Sequence, residues 1–247
     1  MWTLHWQDMQ PFDPEQEHLA LRREAASQLS WRGGTLLAWC LWLLGSWMMT
    51  LGHGAAWAVR AMMLLVMVGL LLLWPALRLS QDRWASQSRT MMLLSGRSGP
   101  ISVLMDWLGL ALIAQAVVWS FKITANWTVH QTLWIDAAVL SWSLLAAALV
   151  AWGVQWRGNI PRAVAMLLCV GLFWGEPLVY SLMTPRLADS PPWRMRISPL
   201  QTIWHLSEPG GLWSVEPWHT QVLAVAVAAV VAWVLVLIMS RQPSQAA

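Results

Sequence analysis

Residues 74–107, "WPALRLSQDRWASQSRTMMLLSGRSGPISVLMDW", contain the end of one apolar run, a basic segment and the start of a second apolar run. The basic segment carries four arginines: Arg78, Arg83, Arg89 and Arg97. This alternation is typical of a polytopic membrane protein, in which short cytoplasmic loops retain arginine and lysine. The stretch therefore predicts two membrane-spanning helices that are joined on the cytoplasmic side.

Composition supports a membrane location for the rest of the chain. Of the 247 residues 57% are hydrophobic and 11% are charged, whereas soluble domains have about 25% charged residues. A bilayer solvates the apolar surface that a soluble fold of this length could not bury. The 22 tryptophans agree, because their amphipathic rings favour the membrane–water interface. A net charge of +3 does not suggest a nucleic-acid partner, so membrane lipid is the expected environment.

Six apolar runs define the predicted architecture. A spanning helix needs about 20 residues, with a range of roughly 17 to 25, so the first two runs are at the short end. Gly52 and Gly54 mark a tight turn between these two. We expect an all-α, polytopic membrane protein with a six-helix transmembrane domain over residues 33–241. The six runs are about 35–51, 61–77, 101–121, 133–156, 163–183 and 219–240.

The distribution of basic residues predicts the orientation. With the N-terminus in the cytoplasm, ten of the 15 lysines and arginines lie on the cytoplasmic side. The short loops show the bias most clearly, with four arginines between spans two and three and only Lys122 between spans three and four. An even number of spans then places the polar tail, residues 242–247, in the cytoplasm as well. We expect the inner membrane of a bacterium.

The cytoplasmic N-terminal segment, residues 1–32, predicts an amphipathic helix over 13–32. Asp13 suits the N-cap, and Pro14 suits the first helical position. Apolar residues recur at four-residue spacing, and Gly33 with Gly34 supplies the stop. Such a helix lies in the plane of the membrane interface.

The long segment between spans five and six predicts an outer re-entrant or interfacial helix. Prolines and glycines bracket a short apolar piece over 197–206, which is too short to cross the bilayer. Irregular backbone at membrane depth is tolerated where protein or a cavity surrounds it.

Motifs for catalysis are missing from the sequence. A P-loop needs a lysine that reaches the phosphates, and Lys122, the only lysine, lies between Phe121 and Ile123. No H-E-x-x-H, paired-cysteine metal motif or G-x-S-x-G elbow is present. We therefore expect no catalytic residue, no resident metal and no cofactor in this chain.

Ionisable residues in or near the apolar runs are candidate functional positions, because charges at bilayer depth are expensive and usually face a cavity or a partner. For Asp106 we expect an interfacial arginine partner, and for Asp136 an interfacial position near the outer end of span four. Glu176 lies deeper, and Pro177 frees a backbone carbonyl beside it. This pair is the candidate for a pathway or conformational role.

Histidines and tryptophans leave alternatives open. His53, His130, His205 and His219 fall on the predicted outer side, where imidazoles could bind a metal or haem. None has ligand spacing with another, and imidazole also suits an interface as an amphipathic ring. Eight tryptophans fall near predicted helix ends, where they would form interfacial belts: Trp31, Trp74, Trp84, Trp119, Trp127, Trp156, Trp213 and Trp218.

The basic segment resembles the cytoplasmic loop after span two in the permease subunits of type-2 ABC transporters. That loop has the form E-R-x-x-G-T-x-x-x-L-L-x-x-P-x-S, and "SQDRWASQSRTMMLLSGRSGP" is similar to it. The matching residues are Asp82 and Arg83 at the acid–arginine pair, Thr90 at the threonine, and Leu93 and Leu94 at the leucine pair. In the N-terminal segment Arg23-Glu24 resembles an element of the family's connecting helix, and "ISPL" at 197–200 resembles the Ser/Asn-Pro step before its last span.

The resemblance implies an ABC transporter permease subunit, with export as the expected direction, that forms the substrate pathway. A second permease chain and cytoplasmic ATP-binding subunits would be its partners, and ATP and Mg would bind to those subunits. The matched residues in the N-terminal helix and the basic segment would transmit ATPase closure to the pathway.

Two other functions remain open from the sequence. In a non-transporting assembly or scaffold subunit, the basic segment would bind a partner or anionic lipid without ATP coupling. In an intramembrane enzyme, Glu176 would act with an outer histidine, although no such pair has helical spacing.

Overall fold

The computed structural model describes residues 34–51, 54–85, 100–156, 158–183, 198–208 and 216–241. The chain divides into two units, Met1–Ala38 and Trp39–Ala247. In the first unit the described residues are 34–38, which open a helix. All packing described below belongs to the second unit. The predicted amphipathic helix over 13–32 and the tail 242–247 lie outside the described residues.

The described residues are all-α, with no strand among them, as the sequence predicts. Each of the six apolar runs corresponds to a helical rod, and a short helix precedes the last one. The elements are α1 (Gly34–Thr50), α2 (Ala55–Val68), a π-helical segment (Gly69–Leu73), α3 (Trp74–Ala85), α4 (Pro100–Thr124), α5 (Val129–Gln155), α6 (Asn159–Met183), α7 (Pro199–Leu206) and α8 (Glu216–Arg241).

Four of these rods contain stretches long and apolar enough to cross a membrane, and this finding indicates a membrane-embedded protein. The stretches are Trp57–Ser80, Pro100–Thr124, Val129–Gln155 and Trp218–Ser240. Two further apolar helices are shorter over the described side chains, Gly34–Thr50 and Asn159–Trp174. For α6 the helical backbone continues to Met183.

Helix α5 forms the centre of the second unit. It packs against α3, α4, α6, α7 and α8, and its interior face is rich in small residues, among them Ala146, Ala147 and Ala151. A Cβ on Gly153 would lie 2.6 Å from the Ala165 Cβ of α6, so this glycine permits a close approach of the two helices. Membrane helices associate without a hydrophobic driving force, so they depend on close packing. Small residues at the contact allow the helices to approach closely enough for it.

The π-helical segment interrupts the rod that α2 and α3 form, immediately before Pro75. Proline has no N–H and clashes with the carbonyl four residues earlier. In the π-helical turn the Trp74 N–H bonds to the Gly69 carbonyl, five residues back, so the rod continues through the proline. Trp39 of α1 packs against Gly69, and the Trp42 indole donates to the Leu65 carbonyl at 2.9 Å.

Two short turns fix the direction of α5. Asn126 has a φ of 54° in the turn after α4, a left-handed conformation that asparagine tolerates. Thr128 then caps α5, because its hydroxyl accepts from the Gln131 N–H at 3.1 Å. After α5, Gly158 has a φ of 140°, which favours glycine and lets α6 return along α5.

Consecutive rods alternate in direction, so the bundle has two ends. We call the end where α3 finishes and α4 begins the Arg78 end, and the end where α2, α5, α7 and α8 begin the Arg60 end.

The tryptophans divide between interior and surface. Trp119 and Trp156 are partly exposed near helix ends, as a belt requires, but the belt prediction is wrong for Trp74. This residue lies in the middle of the rod and is 1% exposed, because the rod extends through the predicted loop start.

Candidate functional site

An ion pair at the Arg78 end joins the two helices that flank the basic segment. The Arg78 Nε lies 3.3 Å from the Asp106 Oδ2, and the Arg78 Nη2 donates to the Ser102 Oγ at 3.0 Å. The side chains of Arg78 and Asp106 are 12% and 18% exposed. The expected arginine partner of Asp106 is therefore confirmed, and it is supplied by α3.

We call the triad of Arg78, Ser102 and Asp106 the clamp. Arg78 lies in the second turn of α3, and the other two lie in the first two turns of α4. The clamp therefore joins the N-terminal part of α3 to the N-terminal part of α4. An ion pair this little exposed also costs several kcal/mol to break by removing one partner, on the order of 3–5.

The predicted coupling residues are only partly within the described chain. Asp82 and Arg83 lie in the last turn of α3, because that helix extends to Ala85 rather than ending with the apolar run at 77. Hydropathy identifies only the apolar part of a helix, which lipid solvates. Polar residues can continue the same helix beyond that part, so the end of the apolar run is not the end of the helix. Thr90, Leu93 and Leu94 lie outside the described residues, as do Arg23 and Glu24 of the N-terminal segment.

The candidate pathway residues lie on α6. The backbone at Glu176 and Pro177 is helical, and their side chains lie outside the described set. Nearby, Phe173 is 2% exposed and Trp174 is 49% exposed, so this turn of α6 has one interior and one exterior face.

The short helix α7 is held at the Arg60 end by polar contacts from α2 and α5. The Gln131 Nε2 donates to the Leu206 carbonyl at 2.9 Å and to the Glu208 carbonyl at 3.0 Å. The Arg60 Nη2 lies 3.0 Å from the Glu208 Oε1, and its guanidinium lies 5.0 Å from the Trp204 ring centroid. Of the apolar piece predicted over 197–206, residues 199–206 form a short helix, and the carbonyl of its last residue, Leu206, accepts from a side chain of α5.

Imidazole and indole rings cluster beside α7. The His219 ring of α8 stacks on Trp134 of α5 with centroids 3.8 Å apart, and the Trp134 indole donates to the His130 Nε2 at 3.2 Å. His205 stacks on Trp218 at 4.9 Å. His130 and His219 are 5.7 Å apart between centroids, but the described residues contain no group of three metal-ligating side chains. His53 lies outside them. Aromatic packing is the role these contacts support.

A third polar group lies between α4 and α5. The Gln115 Nε2 donates to the Asp136 Oδ1, and the Trp119 indole lies beside this carboxylate. The Nζ of Lys122 lies 5.7 Å from the Trp119 ring centroid. Asp136 is two turns into α5, because the helix begins at Val129 rather than at the start of the apolar run at 133, and its partners were not identified from the sequence. One sequence signal could have indicated these neighbours. Trp119 follows Gln115 by four residues and Lys122 follows Trp119 by three, which places all three on one face of α4.

No family model, curated protein or solved structure matches the chain.

Proposed function

We propose that the chain is the permease subunit of an ABC transporter, working as an exporter, that forms the substrate pathway and depends on a separate cytoplasmic ATPase. The observation that carries the proposal is the clamp between α3 and α4. A basic loop that serves only to set topology needs charge alone. Here α3 and α4, the helices on either side of residues 86–99, are joined by an ion pair of low exposure, an arrangement that suits the transfer of force.

The orientation we propose has six membrane spans, formed by α1, the rod of α2 and α3, α4, α5, α6 and α8. The Arg78 end faces the cytoplasm of a bacterial cell and both termini lie there, in the inner membrane. Arg78, Arg83, Arg162 and Arg241 support this orientation, because they lie on helices at that end. At the Arg60 end, α7 would be the re-entrant or interfacial element on the outer side.

In this proposal ATP and Mg bind to the partner ATPase, and a second permease chain completes the pathway. The ATPase contacts the segment with Asp82, Arg83, Thr90, Leu93 and Leu94, together with Arg23 and Glu24 of the N-terminal segment. Closure of the ATPase then pulls α3 and α4 as one body through the clamp. Glu176 and Pro177 of α6 are the proposed pathway positions.

The first test is purification of the tagged chain from its native membrane with identification of what accompanies it. A stoichiometric P-loop ATPase is the expected result. Recovery with other membrane proteins and no ATPase would contradict the proposal and favour a scaffold subunit instead.

Variants of the segment test coupling directly. Leu93→Ala with Leu94→Ala should abolish transport-linked ATPase activity of the complex while the chain inserts normally. Leu112→Ala is a matched control, because Leu112 is 63% exposed in the middle of α4 and should leave that activity unchanged. Equal loss in both variants would show that the effect is not specific to the segment.

A further inference from the structure

The carboxylate of Asp136 lies within a stretch that is long and apolar enough to cross a membrane. It is seven residues beyond Val129, the first residue of α5, which is a depth of about 10 Å along the helix. Its hydrogen-bond donor is the amide of Gln115, and the indole of Trp119 lies beside it. Both groups are neutral and carry N–H.

No described arginine, lysine or histidine forms an ion pair with Asp136. This sets it apart from Asp106 and Glu208, each of which pairs with an arginine. Ionisable groups at membrane depth generally pair with an opposite charge or lie on a pathway. Two neutral N–H groups partly solvate the carboxylate, but they do not neutralise its charge.

Trp119 connects this carboxylate to a site for a cation. Its indole lies beside Asp136, and its ring centroid is 5.7 Å from the ammonium nitrogen of Lys122. Indole is the best aromatic surface for a cation. Trp119 is 38% exposed, so the ring is accessible at the surface of the second unit.

We propose that Asp136, Trp119 and Gln115 form a binding site for a lipophilic organic cation that enters from the membrane, such as an amphiphile with a substituted ammonium head group. The carboxylate supplies the opposite charge and the indole face packs against the cationic carbon atoms. Lys122, whose ammonium lies near the same indole face, competes with the ligand by charge repulsion. This inference rests on the proposed function, because it identifies lipophilic organic cations as the class of substrate that the permease transports.

Binding of tetraphenylphosphonium to the purified full chain, measured by equilibrium dialysis in detergent, tests the site. Asp136→Asn keeps the shape and the hydrogen-bonding capacity of the side chain, and it should weaken binding by about tenfold or more. Lys122→Gln should strengthen binding by roughly two- to fivefold, because a partly screened repulsion is removed. Tetraphenylborate, of the same shape and opposite charge, should show no loss with Asp136→Asn.

Equal affinity of the wild type and Asp136→Asn for tetraphenylphosphonium would overturn the proposal. If the Asp136→Asn variant does not fold, the Lys122→Gln variant provides the test. An unchanged or reduced affinity of Lys122→Gln for tetraphenylphosphonium would then contradict the proposed site. The measurement requires no ATPase. Charge-selective binding without a co-purifying ATPase would therefore support the cation site and contradict the permease proposal. A co-purifying ATPase without such binding would support the permease proposal and contradict the cation site.

Discussion

Arg78 and Asp106, 28 residues apart in sequence, form an ion pair between the second turns of α3 and α4, with the Nε and Oδ2 atoms 3.3 Å apart. Both side chains are less than one-fifth exposed, so each charge depends on the other. Glu208, which pairs with Arg60 at the other end of the unit, is 52% exposed. The two pairs therefore provide a comparison of a shielded and a solvated interaction within one protein.

Removing one charge from the clamp should destabilise the protein far more than removing one from the exposed pair. We expect Arg78→Gln or Asp106→Asn to lower the free energy of unfolding by about 3 kcal/mol, because the remaining charge is left without its partner. Glu208→Gln should cost less than about 1 kcal/mol. Denaturant unfolding in detergent measures both. The double variant at the clamp should cost less than the sum of the single ones, and strict additivity would show that the two residues do not interact.

Adding a methyl group at Gly69 should destabilise the packing of α1 on the rod. A Cβ there would overlap the Trp39 ring and lie 2.8 Å from the Trp42 Nε1, and overpacking of this kind costs about 1–3 kcal/mol. Gly109→Ala is the matched control, because nothing lies within 4 Å of the position that a Cβ would take there on α4. That substitution should stabilise the helix by roughly 0.5–1 kcal/mol. Thermal unfolding of the two variants should therefore shift in opposite directions.

Replacing Gln131 by leucine should loosen α7 locally. The Leu206 and Glu208 carbonyls lose the amide that binds them, and an unsatisfied buried acceptor costs about 1–3 kcal/mol. Hydrogen exchange should rise in residues 199–208. Gln155→Leu removes a bond of the same kind, to the Val236 carbonyl of α8, so its effect should appear near 236 instead. Exchange that rises equally in both places with either variant would indicate global unfolding.

Removing the hydroxyl of Thr128 should destabilise the start of α5. Its oxygen caps the Gln131 N–H, and loss of such a cap costs about 1 kcal/mol. Ser120→Ala is the control, since the Ser120 hydroxyl bonds the Ala116 carbonyl of its own helix and its loss should change stability by less than about 0.5 kcal/mol. Equal unfolding midpoints for the two variants would mean that the cap contributes nothing.

The apolar runs predicted the helix positions well, because a membrane helix must be apolar over the width of the bilayer. They did not predict that α3 continues to Ala85, since polar residues outside the bilayer remain helical without a hydropathy signal. The π-helical segment was also missed. Pro75 was visible in the sequence, but whether a helix breaks, kinks or widens at a proline depends on the residues packed around it, here Trp39 and Trp42.

The sequence indicated which types of residue would need polar partners, but it did not identify most of those partners. That Asp106 needs an arginine follows from the cost of an isolated charge, and Arg78 is near in sequence. Asp136 and Gln115 meet because α4 and α5 have a particular rotation and register, which depends on packing along both helices. The same holds for His130 and His219, which are 89 residues apart and lie in contact through Trp134. Spacing along the chain carries no signal for such pairs.

The position of α5 among the other helices has a consequence for synthesis. The helix emerges from the ribosome before α8, yet the Leu144 carbonyl accepts from Trp233 and the Gln155 amide donates to Val236. The Leu144 carbonyl already accepts a backbone N–H within α5, but the Gln155 amide must wait for its acceptor until α8 is made. A chain stopped before residue 233 would therefore lack both side-chain bonds that join α5 to α8, so this pairing can form only after the last helix has been synthesised.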